Sequence, residues 1–115
     1  MRIDLLVQGA PLATGAPERA FKFARAAIQA GHRVGRIFFY NDAVAVANRF
    51  VDDESGSRAN LVKLAAEARF ELAVCVTAAG RRGILADQTL AEGFVTVGLG
   101  QLIEAIEDSD RLVSF

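Results

Sequence analysis

Short apolar runs alternate with segments of helical periodicity along the chain, and this alternation is the strongest constraint on its fold. Five runs are predicted as strands, at 3–7, 34–40, 71–76, 94–97 and 111–115. The central runs are apolar throughout, which is typical of strands in a parallel sheet covered on both faces. The sequence therefore predicts an α/β fold: a single domain, residues 1–115, with a doubly wound, mostly parallel five-stranded sheet and helices on both faces.

Helical segments are predicted between these runs. Pro17 and Glu18 suit the first turn of a helix that Gly31 ends. Further helices are predicted over 43–50, 61–68, 87–91 and 98–107. We expect the strand order 2-1-3-4-5, in which the third strand lies beside the first. The loop 9–15 would then line the same crevice as the end of the third strand.

Charge and composition exclude several classes of protein. The 115 residues include 13 basic and 14 acidic side chains, a net charge of -1, which argues against direct binding of nucleic acid. The single cysteine cannot form an internal disulfide, which favours the reducing cytoplasm. Asp4 interrupts the first apolar run, which is unlike a signal peptide, and no run approaches the ~20 residues that span a bilayer. We therefore expect a cytoplasmic protein with no membrane segment.

Cys75 is the main candidate for chemistry, because it lies near the carboxyl end of the third predicted strand. In doubly wound sheets this edge carries the working crevice. Backbone N–H groups of the following turn would favour the thiolate there, and a thiolate or its persulfide is the nucleophile that sulfur transfer needs. The alternative is a small core residue, since cysteine in an apolar strand is often only that.

Arg81 and Arg82 follow this strand closely. Their guanidinium groups could stabilise a thiolate or persulfide, or contact an acidic partner. The alternative is a pair of solvated arginines that cap a helix end. Small residues at 78–80 would leave a sulfur atom reachable, although they also suit a tight turn.

The remaining motifs give little support for a cofactor or a metal. His32 is the sole histidine and is best explained by helix capping, and there is no cluster with zinc spacing. The glycines at 9–15 lack the end of a phosphate-binding loop, and those at 98–100 lack the third glycine of a dinucleotide motif. The polar run 52–58 is predicted to be a mobile, solvated loop. We expect neither a cofactor nor a metal.

These residues together resemble the DsrE/TusD family of sulfur-relay proteins, and the similarity extends over essentially the whole chain. The most specific part is Val74-Cys75-Val76 followed by Arg81-Arg82-Gly83. Gly31-His32, Phe38-Phe39-Tyr40, Gly93-Phe94, Gly98-Leu99-Gly100 and the ending 110–115 also match the family pattern.

The resemblance implies a sulfurtransferase subunit that carries sulfur as a persulfide on Cys75. It also implies assembly with TusB-like and TusC-like paralogous subunits into an oligomer. A TusA-like donor would supply the sulfur and a TusE-like acceptor would receive it, toward 2-thiouridine in tRNA. DsrE-like relatives instead serve sulfur oxidation with a DsrC-like partner, so both pathways stay open.

Two other functions also remain open. A non-catalytic subunit that completes an oligomer would seal Cys75 in the core. A flavodoxin-like binder of small molecules would use the same crevice and a phosphate-friendly loop. The segment between Gly83 and Gly93 looks shorter than in typical family members, and it could border the cysteine or a subunit contact.

Overall fold

A computed structural model describes residues 1–115 and contains one five-stranded sheet in which every neighbouring pair is parallel. The strands are β1 Arg2–Val7, β2 Arg33–Phe39, β3 Glu71–Cys75, β4 Phe94–Val97 and β5 Arg111–Ser114. The predicted fold class and all five predicted strands are therefore confirmed. Each strand begins and ends within one residue of its predicted position.

The strand order is β4-β3-β2-β1-β5, so the predicted order 2-1-3-4-5 is wrong. β3 lies between β2 and β4, and β1 is two strands away. Each successive strand from β1 to β4 is added on the same side, and only β5 returns to pair with β1. Hydrophobic patterns identify buried strands but do not identify their neighbours, because every central strand of a parallel sheet is apolar on both faces.

Four α-helices and one 3-10 helix connect the strands. They are α1 Ala16–Gln29, the 3-10 helix Asn41–Ala47, α2 Ser57–Ala68, α3 Val76–Gly80 and α4 Leu99–Asp108. α1 and α2 pack beside each other over β1, β2 and β3, whereas α4 contacts β2 and β5. Because parallel crossovers are right-handed, the reversed connection from β4 to β5 places α4 on the opposite face. No helix is long and apolar enough to cross a membrane.

Two predicted helices differ from the structure. The segment predicted over 43–50 is the shorter 3-10 helix, and the segment predicted over 87–91 consists of turns. In the latter, the Thr89 hydroxyl accepts a hydrogen bond from the Leu85 N–H at 2.6 Å and donates one to the Gly83 carbonyl at 2.8 Å. Such local side-chain bonds offer the backbone an alternative to a helix.

The core lies between the sheet and the paired helices α1 and α2. Side chains of β1 alternate, so that Leu5 and Val7 are fully buried beneath the helices. The small residues Ala20 and Ala24 of α1 are also fully buried, which lets the helix approach the sheet closely. Gly31 has a φ of 91° and follows the end of α1, as predicted.

One buried charge lies within the sheet. The Asp4 side chain is 1% exposed, and both of its oxygens accept hydrogen bonds from Arg2, from Nε at 3.0 Å and Nη2 at 3.1 Å. Hydrogen bonding to Asp4 raises the pKa of Arg2, against the opposing effect of burial. The Arg2 guanidinium group therefore stays charged throughout the ordinary pH range.

Candidate functional site

Cys75 is the last residue of β3, and its backbone lies in register with Val97 of β4. The residue is only 1% exposed and is the protein's single, free cysteine. It occupies the N-cap position of α3, and its thiol makes no capping hydrogen bond. Cys75 therefore lies at the carboxyl edge of the sheet, as predicted, but beneath the surface.

The five residues of α3 begin directly after the cysteine. Ala78 and Ala79 of this helix are buried, whereas Val76 is half exposed. α3 packs against the 3-10 helix that follows β2. Because only 1% of Cys75 is exposed, a reagent can reach the sulfur only if the structure around it opens, and α3 is the segment that directly follows the cysteine.

Arg82 fastens α3 to the 3-10 helix. Its Nη1 donates to the Ala78 carbonyl at 3.0 Å, and its Nη2 pairs with Asp42 Oδ1 at 2.8 Å. The guanidinium group is therefore engaged by a carbonyl and a carboxylate. Arg81 is exposed on the same turn, and its backbone N–H bonds to the Thr77 carbonyl.

The predicted neighbour of Cys75 is wrong. The loop 9–15 follows β1, which is two strands from β3, so the residues beside the end of β3 come from the ends of β2 and β4. The end of β2 is tied to β1 by a hydrogen bond from Asn41 Nδ2 to Gln8 Oε1 at 2.8 Å. Asp42, next in the chain, was not predicted as a site residue. Its place directly after a strand, where polar residues meet at the sheet edge, was the available signal.

The polar segment predicted to be a mobile loop is tied to α2. Asp53 accepts hydrogen bonds from the N–H groups of Arg58 at 3.0 Å and Ala59 at 3.1 Å. Arg58 also donates to the Asn48 carbonyl at 2.8 Å, and Ser57 is buried. The run is thus a helix-capping segment, which its aspartates could have indicated.

The arrangement is suited to nucleophilic chemistry by one sulfur atom. Cys75 lies at the edge where parallel sheets carry their reactive groups, in a segment held closed by an exposed ion pair. No group of three or more His, Cys, Asp and Glu side chains is arranged to hold a metal ion.

Comparisons with known proteins show the family of the chain. The model of the DsrE/DsrF-like family matches residues 1–115. Sulfurtransferase TusD of Serratia proteamaculans (strain 568) is 39% identical over 124 residues, covering 96% of each chain. The putative sulfurtransferase DsrE of Allochromatium vinosum is 34% identical over 128 residues, covering 100% of this chain and 98% of its own. That alignment is longer than the 115 residues here, so the relative contains insertions.

The solved structure of the ychN protein from E. coli has the same fold. It superposes with a TM-score of 0.84 over 100% of this chain and 99% of its own, at 20% sequence identity.

Proposed function

Because the chain belongs to the DsrE/DsrF-like family, we propose that it is a sulfurtransferase subunit whose Cys75 accepts sulfur as a persulfide and passes it to a cysteine of a partner protein. Relatives named sulfurtransferase align with nearly the whole chain. The observation that carries the proposal is the position of the only cysteine, at the carboxyl end of a central strand.

The transfer needs no metal, cofactor or net oxidant. The Cys75 thiolate attacks the outer sulfur of a donor persulfide, a new S–S bond forms, and the donor cysteine leaves as a thiolate. A thiolate of the acceptor protein then attacks the outer sulfur on Cys75. The second S–S bond breaks as the acceptor persulfide forms, and Cys75 returns as a thiolate.

The two arginines have different parts in the proposal. Arg81 is exposed beside the segment that covers Cys75, where its charge can attract an acidic partner or stabilise a persulfide anion once the segment opens. Arg82 holds that segment against Asp42, so it acts first as a positioning residue. Its guanidinium group becomes available to the sulfur only when this ion pair breaks.

The partners are proposed from the kinship with TusD. We expect a cytoplasmic oligomer with TusB-like and TusC-like subunits, a TusA-like donor and a TusE-like acceptor, in a relay toward 2-thiouridine in tRNA. The outward face of α4 supports an oligomer, since Leu99, Ile103 and Ile106 are each about half exposed there. Their spacing of four and three residues places them on one side of the helix.

Sulfur oxidation is the second candidate pathway. The 34% identity with a DsrE relative over the full chain favours it, with a DsrC-like protein as the partner. A third candidate, a non-catalytic subunit, is favoured by the 1% exposure of Cys75. The accessibility of the sulfur during transfer therefore decides between a carrier and a structural subunit.

Persulfide loading tests the proposal directly. A low-molecular-weight persulfide donor should add the mass of one sulfur atom to the intact protein, and a thiol reductant should remove it. Cys75→Ser should abolish the added mass while the protein still folds, at a cost of about 1–3 kcal/mol for a buried hydroxyl without a partner. A native assembly whose Cys75 takes no sulfur, with relay activity unchanged in Cys75→Ser, would show that the cysteine is structural.

A further inference from the structure

A cavity of about 180 Å³ lies between the loop after β1 and the segment that precedes α2. Its apolar lining includes Pro11, Leu12, Val46 and Val51. Val46 belongs to the 3-10 helix, which also packs against α3, the helix that begins directly after Cys75. The cavity and α3 therefore border the same seven-residue helix.

The size of the cavity sets the size of its occupant. A cavity of about 150 Å³ is known to hold one benzene ring, whereas pockets for whole small-molecule ligands usually measure about 300–1,000 Å³. A space of about 180 Å³ therefore fits a single aromatic or branched aliphatic side chain. This is the usual size of the anchor that one protein inserts into another.

An unsatisfied hydroxyl lines this cavity. Ser57 is 2% exposed, and its Oγ has no hydrogen-bond partner. A buried polar group without a partner is costly, so it commonly marks a place where another group completes the bond.

The mouth of the cavity is held in a strained shape. Leu12 has a φ of 62°, a conformation that is uncommon for a leucine, yet its side chain is 53% exposed. Its N–H donates to Glu18 Oε1 at 3.0 Å, which fixes the residue in place. Strained residues held in this way are concentrated at binding sites.

The rim carries negative charge. Asp52, Asp53 and Glu54 line the cavity together with one cation, Arg58, whose guanidinium group donates to the Asn48 carbonyl. The carboxylate of Asp53 is used to cap α2, whereas Asp52 and Glu54 are exposed. An occupant that enters past these two carboxylates is favoured if it carries a positive charge next to its apolar group.

We infer that this cavity anchors a partner protein through one aromatic side chain that is followed or preceded by a basic residue. The inference rests on the proposed function, since the anchored partner is the one that exchanges sulfur with Cys75. A partner held at the cavity lies against the 3-10 helix, to which Asp42 and Arg82 fasten the cover of the cysteine. The 3-10 helix would therefore carry both the docking site of the partner and the contact that restrains the segment next to the sulfur.

End-capped tetrapeptides test the inference on the intact protein. The probe acetyl-Gly-Phe-Arg-Gly-amide should shift the backbone amide resonances of Leu12, Val46 and Ser57 in a two-dimensional NMR titration. Replacing its Phe by Ala should weaken binding by about tenfold or more, as expected for burial of one aromatic ring. Replacing its Arg by Glu should also weaken binding, and raised salt should reduce the difference.

Two variants separate the apolar and the charged contributions. Ala45→Phe, at a half-buried position in the lining, should fill the cavity and abolish the shifts. The double variant Asp52→Lys/Glu54→Lys changes only exposed residues and should make the Glu-containing peptide the better ligand. Glu67→Lys/Glu92→Lys, an equal change of charge at exposed positions away from the cavity, should leave the preference unchanged.

Three outcomes would overturn the inference. The first is equal binding of the Phe and Ala peptides, or of the Arg and Glu peptides. The second is binding of phenethylamine as tight as that of the peptide, which would indicate a small-molecule site. The third is a change of oligomeric state in Asp52→Lys/Glu54→Lys, which would indicate that a second copy fills the cavity. Persulfide loading of Cys75 by a small donor should be unchanged in all these variants, so failure of docking and failure of sulfur transfer are distinguishable.

Discussion

Gly35 of β2 lies so close to two side chains that there is no room for a larger residue at this position. A Cβ added there would overlap the side chains of Arg2 and Asp4, which form the buried ion pair. Because a buried carboxylate that loses its partner costs about 3–5 kcal/mol, the glycine and the pair depend on each other. The space left by one missing side chain is what lets the guanidinium group lie across the strand.

Gly35→Ala is therefore expected to lower the free energy of unfolding by about 2–4 kcal/mol, from overpacking together with a weakened ion pair. Chemical denaturation followed by circular dichroism measures this. The matched control is Gly100→Ala in α4, where a Cβ meets no atom within 4 Å. That change should stabilise the protein by about 0.5–1 kcal/mol. Equal effects of the two substitutions would contradict the role assigned to Gly35.

The pKa of Arg2 determines how its contribution to stability depends on pH. The pKa of Arg2 is raised in the folded state, chiefly by its hydrogen bond to Asp4. A cation whose pKa is raised in the folded state stabilises the fold at any pH below its pKa in the unfolded state. This stabilisation is lost only as the pH rises through the pKa of the folded state. Because arginine titrates above the ordinary range, the contribution of Arg2 to stability should stay constant between pH 6 and pH 9 (roughly the working range of such measurements).

At the scale of the element, we propose α3 as the cover of Cys75, and the ion pair that ties it to the 3-10 helix is weak. The ion pair between Arg82 and Asp42 is exposed, with 35% and 70% of the two side chains accessible. Exposed pairs contribute about 0–1 kcal/mol, which corresponds to less than tenfold in an opening equilibrium. The ion pair is thus one restraint on this segment and the burial of Ala78 and Ala79 is another, so breaking the pair changes only how often the segment opens.

Arg82→Ala should therefore speed alkylation of Cys75 by roughly two- to fivefold, the range that an exposed pair allows. Asp42→Asn should do the same, whereas Arg81→Ala should slow alkylation near neutral pH if that charge stabilises the thiolate. The rates are measured by mass spectrometry with a neutral alkylating reagent. Slower labelling in Arg82→Ala would show that its guanidinium group stabilises the sulfur and does not restrain the cover.

The elements differ in how far the sequence predicts them. Strand positions follow from buried apolar runs such as Phe94–Val97, and Cys75 at the end of its strand follows from the same pattern. Strand order does not, because the residues that fix it are long-range pairs such as Phe38 with Ala73. The burial of Cys75 and the tie between Arg82 and Asp42 were not predictable either, since they depend on how the segments after β2 and β3 pack together.

At the scale of the whole molecule, the outward face of α4 is an apolar feature left uncovered by the single chain. Leu99, Ile103 and Ile106 are 46%, 57% and 50% exposed, and Val95 of β4 is 42% exposed. Side chains of this kind on one helix face commonly mark contacts between subunits. This face lies on the opposite side of the sheet from the cavity beside α2, so an oligomer formed through α4 would leave the cavity open.

Ile103→Glu should weaken association, either between copies or with paralogous subunits, by at least about tenfold in the dissociation constant, since it places a charge in an apolar contact. Sedimentation at micromolar concentrations measures this. Glu104→Gln, an exposed change on another side of the same helix, should leave association intact. A protein that is monomeric alone and with every paralogue would remove the basis for this prediction.

The position of β5 beside β1 has a consequence for how the protein is made. β1 is synthesised before the other four strands of the sheet, yet one of its two neighbours is the last of them. At about 5–20 residues per second, that edge of β1 stays unpaired for roughly 5–20 s until β5 has been synthesised. During this time a strand that ends up inside the sheet has unpaired N–H and C=O groups, which invite pairing with other chains. Nascent chains of this protein are therefore expected to depend on chaperones until the final strand has emerged.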